Sequence, residues 1–533
     1  MDKMLGVMID CSRNAVMNVD SVKDFAITLK EMGYNTLMLY TEDTYELNDN
    51  PLFGYMRGRY TKDELKDLDA YCNSIGIELV PCIQTLAHLN CIFKWTEYAD
   101  INDCDDILLM GEEKTYKLID SMFETLSECF TSRKIHIGMD EADRVSTGKY
   151  QEKHGICDKF EAINEHLHKV CEIADKYGFE TMVWSDMFVK FAFGSNDYYA
   201  IKDTSEIQNK AKLPDNVSLV YWDYFASEYD SYIERVKVNK TFGKKVYFAG
   251  GAWTWKSFAP DNTFSIDATK TAIDACNETD IDGTFITVWG DDGAECLPHT
   301  VLPTLMCVAE FSKGNFDMGS IKAKFKEIVG CNFDDFMLLD TFDMPGGKHK
   351  YSPGKYEGNA SKYLFYNDLF MGLNDYRCSE SDEKFYRDLC VKIKNIKDRG
   401  NYYLLFDAYE KLADVLSMKS YLGVKTRKAY KEKNIKELKK LIMEFKTLIK
   451  KLEVFYASYQ KMWCSVNKPH GFDILDIRIG GVIRRVKSCI TRLSAYVKGE
   501  ITEIPELNEK IIEAEPDLRW SRLISANVVA HYL

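Results

Sequence analysis

The chain has 533 residues, a formal net charge of -14 and 46% hydrophobic residues. That length exceeds one ordinary domain, and the apolar fraction suffices for a large barrel with a smaller partner domain. The acidic balance excludes nucleic acid and anionic membranes as main partners, because phosphates would be repelled over most of the surface. A neutral or polar small substrate fits better.

In the opening stretch, Met1 to Asp10, an acidic residue interrupts the apolar run long before the core of a secretory leader could form. No apolar run approaches the roughly 20 residues that span a bilayer. Sixteen cysteines are scattered without a Cys-x-x-Cys pair, and several, such as Cys82, Cys171 and Cys307, sit inside apolar patterns. These features predict a soluble protein with reduced, buried thiols and a cytoplasmic address.

Eight short apolar or β-branched runs follow in chain order: Leu5–Asp10, Thr36–Tyr40, Glu78–Ile83, Lys134–Met139, Glu180–Ser185, Ser218–Trp222, Lys245–Ala249 and Thr284–Val288. Each precedes a helix-compatible segment, and eight βα units predict a (β/α)8 TIM barrel over residues 1–315. Connections from helix to strand are brief, with Gly33, Gly76 and Gly178 where helices should stop. Connections from strand to helix, around 41–60, 84–111, 141–157, 187–203 and 250–264, are long and rich in Trp, Tyr, Asp, Glu and Arg. They leave the C-terminal ends of the strands, where barrel active sites lie.

From 316 to 533 the pattern becomes mainly helical, which predicts a separate C-terminal domain. Leu438, Leu441, Phe445, Leu448, Leu452 and Phe455 recur at spacings of three and four, the pattern of one amphipathic helix face. Packing within a helical bundle is the favoured use of this stripe, and a homodimer seam is the alternative. The polar turn Asn467–Asp473 either joins two helices or reaches the barrel mouth.

The chemistry concentrates in Lys134-Ile135-His136-Ile137-Gly138-Met139-Asp140-Glu141, an apolar strand running into two adjacent acids. Strand alternation predicts His136, Gly138 and Asp140 on one face and Ile135, Ile137 and Met139 on the other. Beyond the strand end the backbone is free to turn, so Asp140 and Glu141 can approach one substrate from different angles with separated pKa values. A helix N-cap followed by a first-turn acid is the competing structural reading. Aromatic residues end the later strands: Trp184, Trp222, Tyr224, Trp253, Trp255 and Trp289. Flat indole faces beside acids suit a pyranose, whose C–H faces stack while its hydroxyls find polar partners.

The segment His136–Glu141 resembles the His-x-Gly-Gly-Asp-Glu signature of glycoside hydrolase family 20, the β-N-acetylhexosaminidases. Asp10-Cys11-Ser12-Arg13 is similar to the family's sugar-binding arginine, and Ala87-His88 to its histidine after the third strand. Met139 departs from the second glycine of the signature; parity turns it toward the surrounding helices. No small α/β domain is seen ahead of the barrel, so the chain resembles a shorter branch with a helical C-terminal domain. The resemblance implies exo-acting removal of terminal N-acetylhexosamine from a small glycan or glycoconjugate, with Glu141 as acid/base and Asp140 steering the substrate's own 2-acetamido nucleophile. It further implies a tyrosine on the acetamido oxygen, for which Tyr224 is chosen over Tyr221 and Tyr247. Arg13, Asp291 and Glu295 are assigned to sugar hydroxyls, with an ion pair to Asp10 or Asp43 as the plain alternative for Arg13. His88 and His136 are assigned to orienting the acids, and Trp184, Trp222, Trp253, Trp255 and Trp289 to the sugar faces.

No metal is expected: the nine histidines are dispersed, and His166 and His168, two apart on a helical segment, face different ways. No cofactor is expected either, since Gly250-Gly251 lacks the context of a nucleotide loop. Two rivals stand: a glycosidase with a carboxylate nucleophile such as Asp186 or Asp223, and a non-catalytic sugar-binding protein.

Overall fold

Strand alternation of buried side chains closes eight parallel strands into a barrel. The computed structural model describes residues 3–512 apart from 202, 203, 206–211, 292, 346–350, 353, 354, 357 and 358. The strands are β1 (Met4–Asp10), β2 (Thr36–Tyr40), β3 (Glu78–Cys82), β4 (Lys134–His136), β5 (Glu180–Trp184), β6 (Val217–Trp222), β7 (Val246–Gly251) and β8 (Gly283–Val288). Each pairs with its sequence neighbours, and β1 closes on β8 in parallel from Met4↔Gly283 to Ile9↔Val288. All eight predicted strands are present with their partners in the predicted TIM-barrel order.

One boundary differs. The fourth strand ends at His136 rather than Met139, and Gly138, Met139 and Glu141 all take positive φ, near +73°, +73° and +53°. Strand parity therefore cannot assign faces past His136. The reason lies next door: the Gln84 Oε1 accepts the Met139 amide at 3.0 Å, which pulls the chain out of the ladder.

The principal barrel helices are α1 (Val19–Met32), α2 (Lys62–Ser74), α3 (Glu113–Cys129), α4 (Lys159–Lys176), α5 (Asp186–Phe193), α6 (Tyr229–Lys240), α7 (Asn262–Glu278) and α8 (Leu302–Phe311). Their starts follow capping chemistry: Asn18 accepts the Ser21 amide ahead of α1, and Thr61 with Glu64 forms a capping box on α2. Inside the barrel Met8, Met38, Val80, Met182, Val220 and Phe285 fill one buried cluster. A second, larger cluster lies between strands and helices and continues into the C-terminal helices.

From Met318 onward the chain is mainly helical, dominated by α9 (Tyr403–Lys419), α10 (Ile435–Val466) and α11 (Phe472–Lys498). Helix α10 packs against both α9 and α11. The stripe Leu438, Leu441, Phe445, Leu448, Leu452 and Phe455 is fully buried, so this face serves the bundle and is not open as a dimer seam. All sixteen cysteines are free thiols. Among the described residues no helix is long and apolar enough to cross a membrane.

Truncating the stripe tests this packing. Phe445→Ala should cost about 3–5 kcal/mol, the range for deleting a buried aromatic ring. The check is a lowered urea midpoint.

Candidate active site

The C-terminal ends of the strands gather the polar residues, as barrel geometry requires. Asp140, just past β4, is held on two sides. His88 Nε2 lies 3.3 Å from Asp140 Oδ2, and Gln84 Nε2 donates to Oδ1 at 2.7 Å. The same Gln84 amide reaches the Tyr40 hydroxyl at 2.8 Å. Burial alone would raise the Asp140 carboxyl, but the His88 charge and these hydrogen bonds outweigh it and hold the group below its usual range. Burial works the other way on His88, yet Asp140 and Glu42 pull its imidazole up to about 10. Asp140 and His88 therefore form an ion pair at neutral pH.

Glu141 has a different environment. Its side chain leans into the mouth with 60% of its surface open, 3.6 Å from His88 Nε2. Desolvation by the surrounding walls raises its carboxyl above the ordinary value, against the attraction of His88, while Asp140 and Asp291 push in the same upward direction. Its backbone amide is fixed by Asp186 Oδ2 at 3.1 Å. Two adjacent acids are thus driven apart in pKa, Asp140 toward the anion and Glu141 toward the acid.

Gly138 makes this turn possible. Its φ is +73°, and an added Cβ would lie 2.1 Å from Gln84 Oε1, so no side chain fits. Met139 adopts the same left-handed conformation without that freedom. Its side chain is fully buried in the cluster between strands and helices, the location expected of it, although turn geometry rather than parity puts it there. Packing compensates a backbone strain of about 1–2 kcal/mol.

Arg13, on the loop after β1, bonds Asp291 Oδ1 and Glu42 Oε1, each at 2.9 Å, and lies 3.7 Å from Asp10. Asp43, its other anticipated partner, is taken by Arg57. Arg13 and Asp291 keep 21% and 44% of their side-chain surfaces open, so both face the mouth. His136 is fully buried; its Nδ1 accepts the Gly138 amide at 3.1 Å, and burial lowers its pKa to about 3, leaving it neutral. It sits 4.4 Å from the Trp184 ring, a floor beneath the acids rather than a partner to them.

The aromatic wall runs from Trp222, stacked on Tyr224 at 5.2 Å, through Trp255 at 5.6 Å from Tyr224, to Trp289, edge-on to Tyr40 at 4.8 Å. Burial, offset in part by Thr287 and Trp289, keeps the Tyr224 phenol protonated, and it feels the charges of both Asp140 and Glu141. Its rivals lie elsewhere: Tyr221 is buried against Asp223, and Tyr247 pairs with Gly283 at the opposite end of the barrel.

Two expected sugar contacts are corrected. The Trp253 ring is enclosed by Phe225, Trp255 and Phe264, and its Nε1 donates to the Tyr224 carbonyl at 3.0 Å, so it braces the wall and offers no free face. The Glu295 side chain is fully buried, bonded to Lys362 Nζ at 2.7 Å, Arg478 Nη1 at 2.9 Å and Tyr366 Oη at 2.5 Å. It anchors the helical region and cannot reach a sugar hydroxyl.

The rival nucleophiles are also engaged. Asp223 is tied by Tyr221, Arg235 and the amides of Phe225 and Ala226. Asp186 is buried, and burial with the nearby Asp140 charge raises its carboxyl to about 7. Tyr40, Glu42 and Gln84 join the site although sequence reasoning did not select them, and Asp186, named there as a rival nucleophile, joins by accepting the Glu141 amide. Each sits at or within two residues of a strand's C-terminal end, the positional signal that could have found them.

Two acids whose pKa values are shifted in opposite directions beside an aromatic wall define a barrel protein suited to carbohydrate chemistry. Sequence comparison carries this further. The model of the glycosyl hydrolase family 20 catalytic domain matches residues 5–311, and the glycoside hydrolase 20C C-terminal domain matches 334–522. The chain belongs to glycosyl hydrolase family 20. Relatives include a β-hexosaminidase of Akkermansia muciniphila, 26% identical over 26% of this chain and 34% of the relative. Hexosaminidase D of Bos taurus is 22% identical over 46% of this chain and 68% of its own length. This chain thus spans about a third of the first relative and about two thirds of the second. A solved β-N-acetylhexosaminidase from Bacteroides fragilis aligns at 18% identity and TM-score 0.49, over 62% of this chain and 70% of that one.

Met139→Gly tests the strained turn. Deleting a buried methionine side chain costs about 2–5 kcal/mol, and relief of strain returns about 1–2 kcal/mol. Thermal unfolding should show a net loss despite restoration of the family glycine.

Proposed function

We propose that the protein is an exo-acting β-N-acetylhexosaminidase that removes terminal β-linked N-acetylglucosamine or N-acetylgalactosamine from a glycan or glycoconjugate. The observation that carries this reading is the unequal pair of acids: an anionic Asp140 clamped by His88 and Gln84, beside a Glu141 biased toward its protonated form. A retaining mechanism with a carboxylate nucleophile needs a second acid open to the substrate, and Asp186 and Asp223 are both buried. Substrate assistance needs none, because the 2-acetamido carbonyl supplies the nucleophile.

In the first step Glu141 gives its proton to the departing glycosidic oxygen while the acetamido oxygen forms the bond to the anomeric carbon, giving an oxazolinium-type intermediate. Asp140 accepts the acetamido N–H and stabilises the positive charge that develops there. Tyr224, protonated and beside both acids, donates to the acetamido oxygen and orients its attack. Glu141, now ionised, takes a proton from the incoming water, which opens the intermediate with retention. Arg13 and Asp291 bind sugar hydroxyls at the rim, with Trp222, Trp255 and Trp289 along the ring. Trp184 and His136 form the floor. No step requires a metal or cofactor.

On a 4-nitrophenyl 2-acetamido-2-deoxy-β-glucoside, Asp140→Asn should lose about 10²–10³-fold in kcat. With a substrate that has a poor leaving group, Glu141→Gln should lose about 10²–10⁴-fold. Near-native turnover by both variants, or equal turnover of the 2-hydroxy glycoside by the wild type, overturns the reading.

The pH profile gives an independent check. Activity requires Asp140 ionised, so kcat/KM falls as pH drops through a value below the ordinary aspartate range. It also requires Glu141 protonated, so kcat/KM falls as pH rises through a value above the ordinary glutamate range. Glu141→Gln should abolish the alkaline limb and leave the acid one.

A further inference from the structure

The Arg13–Asp291 pair joins the loop after β1 to the loop after β8, and both loops rest on the C-terminal helices. On the β8 side, the Glu295 carboxylate is gripped by Lys362, Tyr366 and Arg478, with the Arg478 side chain fully buried. Tyr459 donates to the Glu295 carbonyl at 2.6 Å, and Trp463 Nε1 to the Ala294 carbonyl at 3.3 Å. On the β1 side, the Lys468 amide donates to the Val16 carbonyl at 2.8 Å, and the Asn18 amide to the Val466 carbonyl at 2.9 Å. Asn14, the neighbour of Arg13, links all three segments: its Nδ2 lies 2.9 Å from the Gly293 carbonyl and 3.2 Å from the Gly471 carbonyl. Gly471 has φ +84°, and an added Cβ would stand 1.8 Å from the Asn14 carbonyl, so the turn between α10 and α11 is pressed directly against the loop that carries Arg13.

We propose that the helical region is a positioning element for sugar recognition: Arg478 and Asn14, without touching substrate, set the spacing of Arg13 and Asp291 and thereby the reading of the hydroxyl edge of the sugar. This inference rests on the hexosaminidase reading above. The buried charges explain why the effect is specific. Arg478 fixes Glu295 four residues after Asp291, and Asn14, next to Arg13, ties that loop to the Gly293 and Gly471 carbonyls, so loss of either shifts one arm of the pair relative to the other. Among the described residues the acids Asp140 and Glu141, held by His88, Gln84 and Asp186, make no direct bond to Asn14, Glu295 or Arg478, and Asp140 connects to Arg13 at several removes, through Gln84, Tyr40 and Glu42. A shift of one arm should therefore reach hydroxyl recognition directly and bond cleavage only through that relay.

The test compares the aryl 2-acetamido glycoside with its 4-deoxy analogue in the wild type, Arg478→Met and Asn14→Ala. The wild type should prefer the full sugar by about 10–100-fold in kcat/KM, the value of hydrogen bonds to charged groups. Each variant should lose about tenfold on the full sugar, mainly through KM, and less than about threefold on the deoxy sugar, so that discrimination collapses. Asn14→Ala removes only one amide and serves as the folded counterpart if Arg478→Met fails to fold. An equal loss on both substrates marks a merely structural role and overturns the inference, as does unchanged discrimination. Absence of wild-type turnover on the 2-acetamido glycoside instead overturns the functional reading, and the inference falls with it.

Discussion

The site depends on one ion pair, the buried contact between His88 and Asp140. Removing two charges from water is costly, and the pair persists because each group has further satisfaction: Asp140 from Gln84, His88 from the field of Glu42. Its consequence reaches Glu141. With the Asp140 charge already balanced locally, desolvation at the neighbouring acid outweighs the attraction of His88 and moves its carboxyl upward. The unequal character of two adjacent carboxyls is therefore a property of what surrounds them, not of the residues themselves.

Gln84 couples backbone to chemistry. Its carbonyl oxygen captures the Met139 amide and its nitrogen serves Asp140 and Tyr40. The same side chain thus ends β4 and orients the carboxylate that follows it. A polar group with all these partners in a closed space leaves no slack, which is why Gly138 cannot carry a Cβ.

The eight strands were legible because buried β-branched and apolar runs of this length, spaced by helical segments, admit few alternatives. The end of β4 was not legible: apolar alternation continues through Met139, and only a glutamine from the preceding strand's loop breaks it. Glu295 failed for a related reason. Locally it belongs to an acidic loop after a strand, yet its partners arrive from far along the chain, 71 residues on for Tyr366 and 183 for Arg478. Trp253 shows the opposite limit, since a rim tryptophan can be covered by its own neighbours. The acids and Arg13 were legible as candidates because they follow strand ends and resemble a known motif, and Tyr224 because it shares parity with Trp222 at the end of β6.

The Arg13–Asp291 contact spans the seam where the first strand meets the last, across a separation of 278 residues. Contacts of such separation carry a high loop-closure cost and form late. Asp140 and Glu141 belong to a single short segment at the middle of the barrel, whereas the Arg13–Asp291 contact exists only where the last strand's loop meets the first. A chain interrupted ahead of β8 therefore carries the acid segment but lacks the residue that closes the Arg13 contact.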